Sequence, residues 1–235
     1  MSKVPFQGFS TRTIQFFNDL SDNNNRGWFN SHKSDYEDHV IAPARDFVLS
    51  MGERLRALSP AVVADPRVNK SIFRIYRDIR FSKDKTPYKT NLALWFPLGL
   101  GGGKFENPGY YFHLDSRILM LGAGIHNFSK PLLQAYRQAV VEPELGLALS
   151  DIITSAHQKG YSVGQRTYKR IPRGYDPDHL LADLLRYSGL TFAAEELVPD
   201  ELFSSELVDY CLEVYRDMVP MVTWLQSMKE KAGLE

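Results

Sequence analysis

The sequence predicts an α+β fold: one domain over residues 1–235, with an antiparallel sheet at about residues 71–122 plus a later strand, flanked by N-terminal and C-terminal helices. Apolar residues recur at helical spacing at both ends of the chain, whereas they alternate with polar residues from residue 71 onwards. Short turn sequences join the alternating runs, which favours antiparallel pairing. Helices placed on either side of one sheet are typical of a single α+β domain.

The first quarter of the chain has two helical patterns. Ser10 is a suitable N-cap for the first pattern. Its apolar positions at helical spacing are Ile14, Phe17 and Leu20. Residues 22–25 end this pattern, and a second one begins near Arg26 and continues to Leu55. Pro43 lies inside the second pattern, so we expect a kink or a split there.

The period changes to two at residue 71. Apolar Phe73, Ile75, Ile79 and Phe81 are predicted to share one strand face, although Arg77 interrupts them. The opposite face takes Arg74, Tyr76, Asp78 and Arg80. Residues 82–87 are then predicted to turn, and residues 88–96 to return as the paired strand. A second hairpin is predicted from strands 110–114 and 117–121, with its turn at Asp115 and Ser116.

The second half of the chain is predicted to be mostly helical. Helices are expected at residues 129–140, 145–157, 178–187 and 204–231, and one more strand at residues 190–194. Pro220 is expected to kink the last helix. Cys211 lies on the apolar face of that helix, which indicates a packed thiol rather than a nucleophile.

Composition narrows the class of protein. The chain has one cysteine and therefore no intrachain disulfide, which fits a reducing, cytoplasmic location. No apolar run is long enough for a membrane span, and the first residues lack the apolar core of a signal peptide. The zero net charge argues against coating nucleic acid as the main task. No cofactor is predicted, and the pair His113 and Asp115 is too weak a pattern to predict a metal.

Residues 74–91 carry a charge excess that the rest of the chain balances. The whole chain has 28 Lys and Arg against 28 Asp and Glu, whereas this segment has a net charge of +4. Its basic residues are Arg74, Arg77, Arg80, Lys83, Lys85 and Lys89, and its acidic residues are Asp78 and Asp84. Tyr76 and Tyr88 add aromatic faces that suit stacking and hydrogen bonding. Together these groups have the chemistry of an anion site.

Three functions are compatible with this segment, in order of preference. The first is binding, with or without turnover, of a small phosphate-containing ligand. The second is docking of an acidic protein partner, and the third is contact with nucleic acid. The alternative is a structural ion-pair network, for example between Arg77 and Asp78. The candidate ligand-binding residues are Arg74, Tyr76, Asp78, Arg80, Lys83, Lys85, Tyr88, Lys89, His113 and Arg173.

Two arginines of the segment are predicted to have different tasks. Arg80 lies on the polar side of the alternation and is expected to face the ligand. Arg77 lies on the apolar side, where a buried charge needs a partner. Catalytic residues are not predicted, and if the site were catalytic, its acid–base candidates would be His113, Asp78 and Tyr88.

Residues 73–90 (FRIYRDIRFSKDKTPYKT) resemble the signature of a family known as domain of unknown function 2461. Further motifs agree with that family, and together they span about residues 6–225. These motifs are residues 24–29 with His32 and Tyr36, Gly109–Leu114, residues 122–124 and residues 172–179. The resemblance implies a cytosolic α+β protein of one domain and brings no established activity, cofactor or substrate. We expect three segments to share one surface: residues 74–91, the motif at residues 24–29 that contains Trp28, and the motif at residues 172–179 that contains Arg173.

Overall fold

The structure is a computed structural model that describes residues 5–99, 105–164 and 166–234. The α-helices are α1 (Thr11–Asp22), α2 (Arg26–Ser31), α3 (Lys33–Tyr36), α4 (Ala42–Leu58), α5 (Lys130–Val141), α6 (Pro143–Gln158) and α7 (Leu207–Lys231). A π-helix covers Glu37–Ile41, and short 3-10 helices cover Ala182–Arg186 and Asp200–Phe203. The strands are β1 (Leu92–Pro97), β2 (Gly109–Leu114), β3 (Ile118–Ile125), β4 (Ser162–Val163) and β5 (Leu190–Leu197).

The five strands form one antiparallel sheet in the order β1-β2-β3-β5-β4. This confirms the α+β class with flanking helices. The predicted hairpin is β2–β3, and Asp115 closes its turn by accepting the backbone N–H groups of Arg117 at 2.7 Å and Ile118 at 2.9 Å. The predicted late strand is β5. The two-residue strand β4, which pairs with β5, was not predicted.

Residues 71–91 do not form the two regular strands that their alternation predicts. Their two arms meet at one isolated bridge, between Tyr76 and Tyr88, and Ile72 bridges to Leu94 of β1. The regular strand begins only at Leu92. Two carboxylates explain the interruption, because each accepts the backbone N–H two residues later and so bends the chain. Asp78 accepts from Arg80 at 3.2 Å, and Asp84 accepts from Thr86 at 2.9 Å.

The predicted alternation of burial nevertheless holds along the first arm. Between residues 73 and 80 the odd-numbered residues are buried or half-buried and the even-numbered residues are exposed. The alternation ends at Phe81, which was predicted to face the core and is 95% exposed. Phe81 lies beyond the bend that Asp78 introduces, so the strand periodicity no longer determines where its ring points.

The second helical pattern is divided at Pro43, as expected, and also at His32 between α2 and α3, which was not predicted. The π-helix precedes α4, and Pro43 lies in the first turn of α4. Proline has no N–H to donate to the carbonyl of His39, four residues earlier. The hydroxyl of Thr13, a fully buried residue of α1, donates to that carbonyl at 2.6 Å.

Three of the four helices predicted in the second half are present as α5, α6 and α7, and the 3-10 helix Asp200–Phe203 was not predicted. The helix predicted at residues 178–187 is only the short 3-10 helix Ala182–Arg186. The C-terminal helix α7 continues through Pro220, and the kink expected there stays a prediction. Cys211 is fully buried in α7, where burial raises the pKa of its thiol. None of the described helices is long and apolar enough to cross a membrane.

The chain divides into two compact units. The first contains Met1–Phe96, Tyr111–Leu121 and Glu195–Glu213, and the second contains Pro97–Tyr110, Gly122–Ala194 and Val214–Glu235. Phe6, Phe9, Phe47 and Phe112 form an aromatic cluster in the core of the first unit. Tyr110, Phe128, Tyr136, Tyr215 and Trp224 pack in the core of the second. That both units belong to one domain stays a prediction.

The motif at residues 122–124 requires glycine at position 124. Its φ is 124°, in the region that only glycine adopts readily. A Cβ atom there would lie 2.1 Å from the carbonyl oxygen of Leu190 in β5. A larger residue would therefore push the two backbones apart.

Candidate functional site

The basic hairpin, residues 74–91, is held to the N-terminal helices by Asn24. The Asn24 amide donates to the carbonyl of Tyr88 at 3.0 Å and accepts the N–H of Tyr88 at 3.1 Å. Within the hairpin, Tyr76 bridges to Tyr88, and the N–H of Arg77 donates to the carbonyl of Pro87 at 2.9 Å. The sequence motif at residues 24–29 and the basic hairpin are therefore in direct contact in the first unit.

Stacked aromatic rings lie under the hairpin. Tyr88 is only 3% exposed and stacks on Phe29 of α2 with ring centroids 4.2 Å apart. The ring centroids of Tyr76 and Tyr88 are 5.4 Å apart, and Tyr76 is 53% exposed. Burial raises the pKa of Tyr88, and the neighbouring Tyr76 raises it further, while Arg26 lowers it. The Tyr88 phenol therefore stays protonated at neutral pH and is no candidate for a base.

A cavity of about 340 Å³ opens between the hairpin and α2. Its lining residues are Arg26, Asn30, Tyr76, Arg77, Ile79, Pro87 and Tyr88. Arg26 and Asn30 are four residues apart on α2 and so project from the same side of the helix. Among the residues that the structure describes, neither of these two side chains has a hydrogen-bond or ion-pair partner.

Arg77 is the one lining cation that is already engaged. Its guanidinium pairs with Asp84 at 2.5 Å, and it donates to the carbonyl of Thr86 at 3.1 Å and to the Thr86 hydroxyl. The partner of Arg77 is thus Asp84 rather than the Asp78 considered from the sequence. The Thr86 N–H, followed by Arg77 and the Thr86 hydroxyl, lowers the pKa of Asp84 to about 2.

Asp78 pairs with Arg80 rather than with Arg77. Two parallel hydrogen bonds of 2.9 and 2.6 Å join the guanidinium to the carboxylate. Mainly because of these bonds, the pKa of Asp78 falls to about 2. Both side chains are exposed and lie outside the cavity lining. That Arg80 faces a ligand stays a prediction.

The remaining candidates of the hairpin also lie outside the cavity lining. Arg74 and Lys83 are exposed. Lys85 donates to the carbonyl of Ile79 at 2.9 Å, and Lys89 lies 5.3 Å above the ring of Phe73. Of the ten candidate residues, Tyr76 and Tyr88 line the cavity.

His113 lies on β2, away from the cavity lining. Its Nε2 is 3.7 Å from the Asp115 carboxylate, and its Nδ1 is 3.5 Å from the Tyr111 hydroxyl. Burial lowers the pKa of His113, although Asp115 and Glu195 act against this effect. Across the described ranges, no group of three or more His, Cys, Asp or Glu side chains has a metal-binding arrangement.

Arg173 belongs to the second unit, whereas the hairpin belongs to the first. It is exposed and lies in the loop before the 3-10 helix Ala182–Arg186. A second cavity, of about 630 Å³, lies in the same region, but Arg173 is not among its lining residues. That Arg173 shares a surface with the hairpin stays a prediction.

Sequence reasoning missed Arg26 and Asn30 as site residues. Their spacing of four within a short helix was a usable signal, because such residues share a helix face. The motif at residues 24–29 was recognised as part of the family resemblance, but no binding role was assigned to it. The segment around Trp28 and the hairpin were expected to share a surface, but the residue that joins them was not identified. It is Asn24, which binds Tyr88 64 positions later in the chain.

A family model described as conserved hypothetical protein (DUF2461) matches residues 12–224. The chain belongs to this family. The DUF2461 match covers both α2 and the basic hairpin, so all residues that line the cavity lie within it. It also confirms the resemblance that the hairpin motif indicated. No curated protein matches the chain.

Proposed function

We propose that this DUF2461 protein binds a small phosphorylated ligand with a planar group, such as a nucleotide, in the cavity between α2 and the basic hairpin. The observation that carries this proposal is the unpartnered pair Arg26 and Asn30 beside the exposed ring of Tyr76. A guanidinium binds phosphate oxygens through two parallel hydrogen bonds. An exposed tyrosine ring offers a stacking surface for a planar base.

The size and charge of the cavity support the same ligand class. A volume of about 340 Å³ is within the usual range of small-molecule sites, roughly 300–1,000 Å³. The hairpin has a net charge of +4 within a chain whose total charge is zero, and this local excess raises the local concentration of anions. Exposed Arg74 and Lys83 lie on the same hairpin and extend the positive surface.

The lining supports binding rather than turnover. Its ionisable side chains are two arginines and two tyrosines, without a carboxylate or imidazole. General acid–base catalysis at neutral pH usually needs a group with a pKa near 7. Since the described lining offers no carboxylate or imidazole for this task, the ligand is expected to leave unchanged.

The exposed tip of the hairpin favours a second candidate function, the docking of an acidic protein partner. Phe81 is 95% exposed, and the Arg80 guanidinium lies 5.8 Å from the centre of its ring. An aromatic ring next to arginine is common at the centre of protein interfaces. In this case Phe81→Ser would abolish partner binding and leave nucleotide binding unchanged.

The main proposal is tested by thermal unfolding with AMP, ATP, adenosine, inorganic phosphate and chloride at equal ionic strength. A ligand that binds only the folded protein raises Tm. AMP or ATP is expected to raise Tm more than phosphate or adenosine does, and Arg26→Ala is expected to remove this rise. Arg56→Ala removes an exposed arginine of α4 and serves as the control. Equal Tm shifts for every anion, or an unchanged nucleotide effect in Arg26→Ala, would refute the proposal.

A further inference from the structure

The second unit contains a cavity of about 630 Å³ that is independent of the hairpin. It lies between the loop at residues 169–171 and the segment that ends in the 3-10 helix Ala182–Arg186. Its polar side chains are Lys169, Arg170, His179, Asp183 and Arg186. The cavity is larger than the one beside the hairpin and carries more positive groups.

The one carboxylate of this lining is already neutralised. Asp183 pairs with Arg186 at 3.1 Å and with Arg166 at 3.5 Å. Arg186 also donates through Nε to the carbonyl of Tyr168 at 2.9 Å, so its guanidinium is fixed. Lys169 and Arg170 are exposed. Neither has a hydrogen-bond or ion-pair partner among the residues that the structure describes. Two positive charges therefore remain uncompensated.

A backbone contact fixes which nitrogen of His179 carries the proton. The Nδ1 atom accepts the N–H of Leu181 at 3.1 Å. Because Nδ1 is the acceptor, a neutral His179 must carry its hydrogen on Nε2. His179 is therefore a third hydrogen-bond donor in the lining, beside Lys169 and Arg170.

Apolar side chains form the rest of the cavity wall. They are Ile171, Pro177, Leu180 and Ala182. Leu180 is 84% exposed, so most of its apolar surface is open to solvent. A ligand in this cavity would cover the Leu180 side chain.

We propose that this second cavity binds a phosphomonoester attached to an apolar group. Lys169, Arg170 and His179 would supply the donors for the phosphate oxygens, and Leu180 with Ile171 would cover the apolar group. Three donors match the three terminal oxygens of a phosphomonoester better than the two oxygens of a carboxylate. This site does not depend on the ligand proposed for the cavity beside the hairpin.

The test uses the full chain and phenyl phosphate, with inorganic phosphate, benzoate and phenol as comparisons. Titrations are followed by the backbone amide signal of Leu181 in 1H–15N NMR spectra, because that amide donates to His179. Phenyl phosphate is expected to shift this signal at lower concentration than any of the other three compounds. No shift, or equal affinity for inorganic phosphate or benzoate, would overturn the proposal.

Variants separate the two sites and the general effect of charge. The double variant Lys169→Ala/Arg170→Ala is expected to weaken phenyl phosphate binding more than tenfold. Arg173→Ala removes an exposed charge from the same loop but not from the lining, and is expected to change binding less than twofold. Arg26→Ala is expected to have no effect here, although it should abolish nucleotide binding. An equal loss in Arg173→Ala, or a loss in Arg26→Ala, would contradict the assignment.

Discussion

Arg77 and Arg80 show how two arginines three positions apart acquire different tasks. Arg77 lies on the half-buried side of the first arm and joins it to the turn through Asp84 and Thr86. Arg80 lies on the exposed side and pairs with Asp78, two residues away. The first contact ties two parts of the hairpin together, whereas the second is local.

Arg77→Ala is expected to destabilise the protein and Arg80→Ala is not. Loss of Arg77 leaves the Thr86 carbonyl without its charged donor, which costs about 1–3 kcal/mol of unfolding free energy. Arg80→Ala should leave the denaturation midpoint unchanged, because exposed local ion pairs contribute little. Urea denaturation of both variants measures the difference. The reverse result, a silent Arg77→Ala and an unfolded Arg80→Ala, would show that the Asp78–Arg80 pair holds the hairpin.

The junction between α1 and the π-helix shows how one element compensates for a defect in another. Pro43 cannot donate to the His39 carbonyl, and the buried Thr13 hydroxyl donates to it. The Thr13 hydroxyl also accepts the N–H of Ser10 at 3.2 Å. One hydroxyl thus serves the start of α1 and the interrupted helix at the same time.

Thr13→Val is expected to lower the unfolding free energy by about 0.5–1.5 kcal/mol, because the carbonyl of half-buried His39 loses its hydroxyl donor while the side-chain shape is kept. Thr13→Ser retains the hydroxyl and should cost less. Pro43→Ala supplies a backbone N–H four residues after His39, so it should reduce the cost of Thr13→Val. Thermal or urea unfolding of the double-mutant cycle measures this coupling. Strict additivity of Thr13→Val and Pro43→Ala would contradict the explanation.

For the whole molecule, several aspartates make stability depend on pH. The pKa values of three aspartates are lowered to about 2 by hydrogen bonds. Arg67 donates to Asp65, and Arg80 donates to Asp78. Asp84 accepts from Thr86 and from Arg77. The pKa of Asp217 is lowered by Lys159. Aspartates of the unfolded chain have pKa values near 3.9, so between about pH 2 and pH 5 the unfolded chain binds more protons than the folded protein. The contribution of these aspartates to stability is therefore fully present above about pH 5 and is lost as the pH falls through 4 towards 2. It is small for each exposed pair, because solvent screens the charges.

Asp84→Asn is expected to make this pH dependence shallower than Asp78→Asn does. Asp84 pairs with a residue seven positions away, a contact that unfolding breaks. Asp78 pairs with a residue two positions away, and such local contacts partly persist in unfolded chains. Urea midpoints of both variants and the wild type between pH 6 and pH 2.5 measure the slopes. Identical slopes for the two variants would count against the assigned role of Asp84.

The sequence alone determined the α+β class, most of the helices, the β2–β3 hairpin and the split at Pro43. These features are local, because periodicity, caps and proline act within a few residues. The alternation of burial at residues 73–80 was also predicted correctly. The wrong expectation for Phe81 arose where the carboxylate of Asp78 bends the backbone and ends the strand periodicity.

Only the tertiary structure decided which groups form the candidate site. Arg26 and Asn30 meet Tyr76 and Tyr88 because Asn24 binds a backbone 64 positions away. Arg77 likewise finds Asp84 across a turn rather than its sequence neighbour Asp78. Contacts of this kind depend on how the chain folds back on itself, so they leave no periodic signal in the residues that make them.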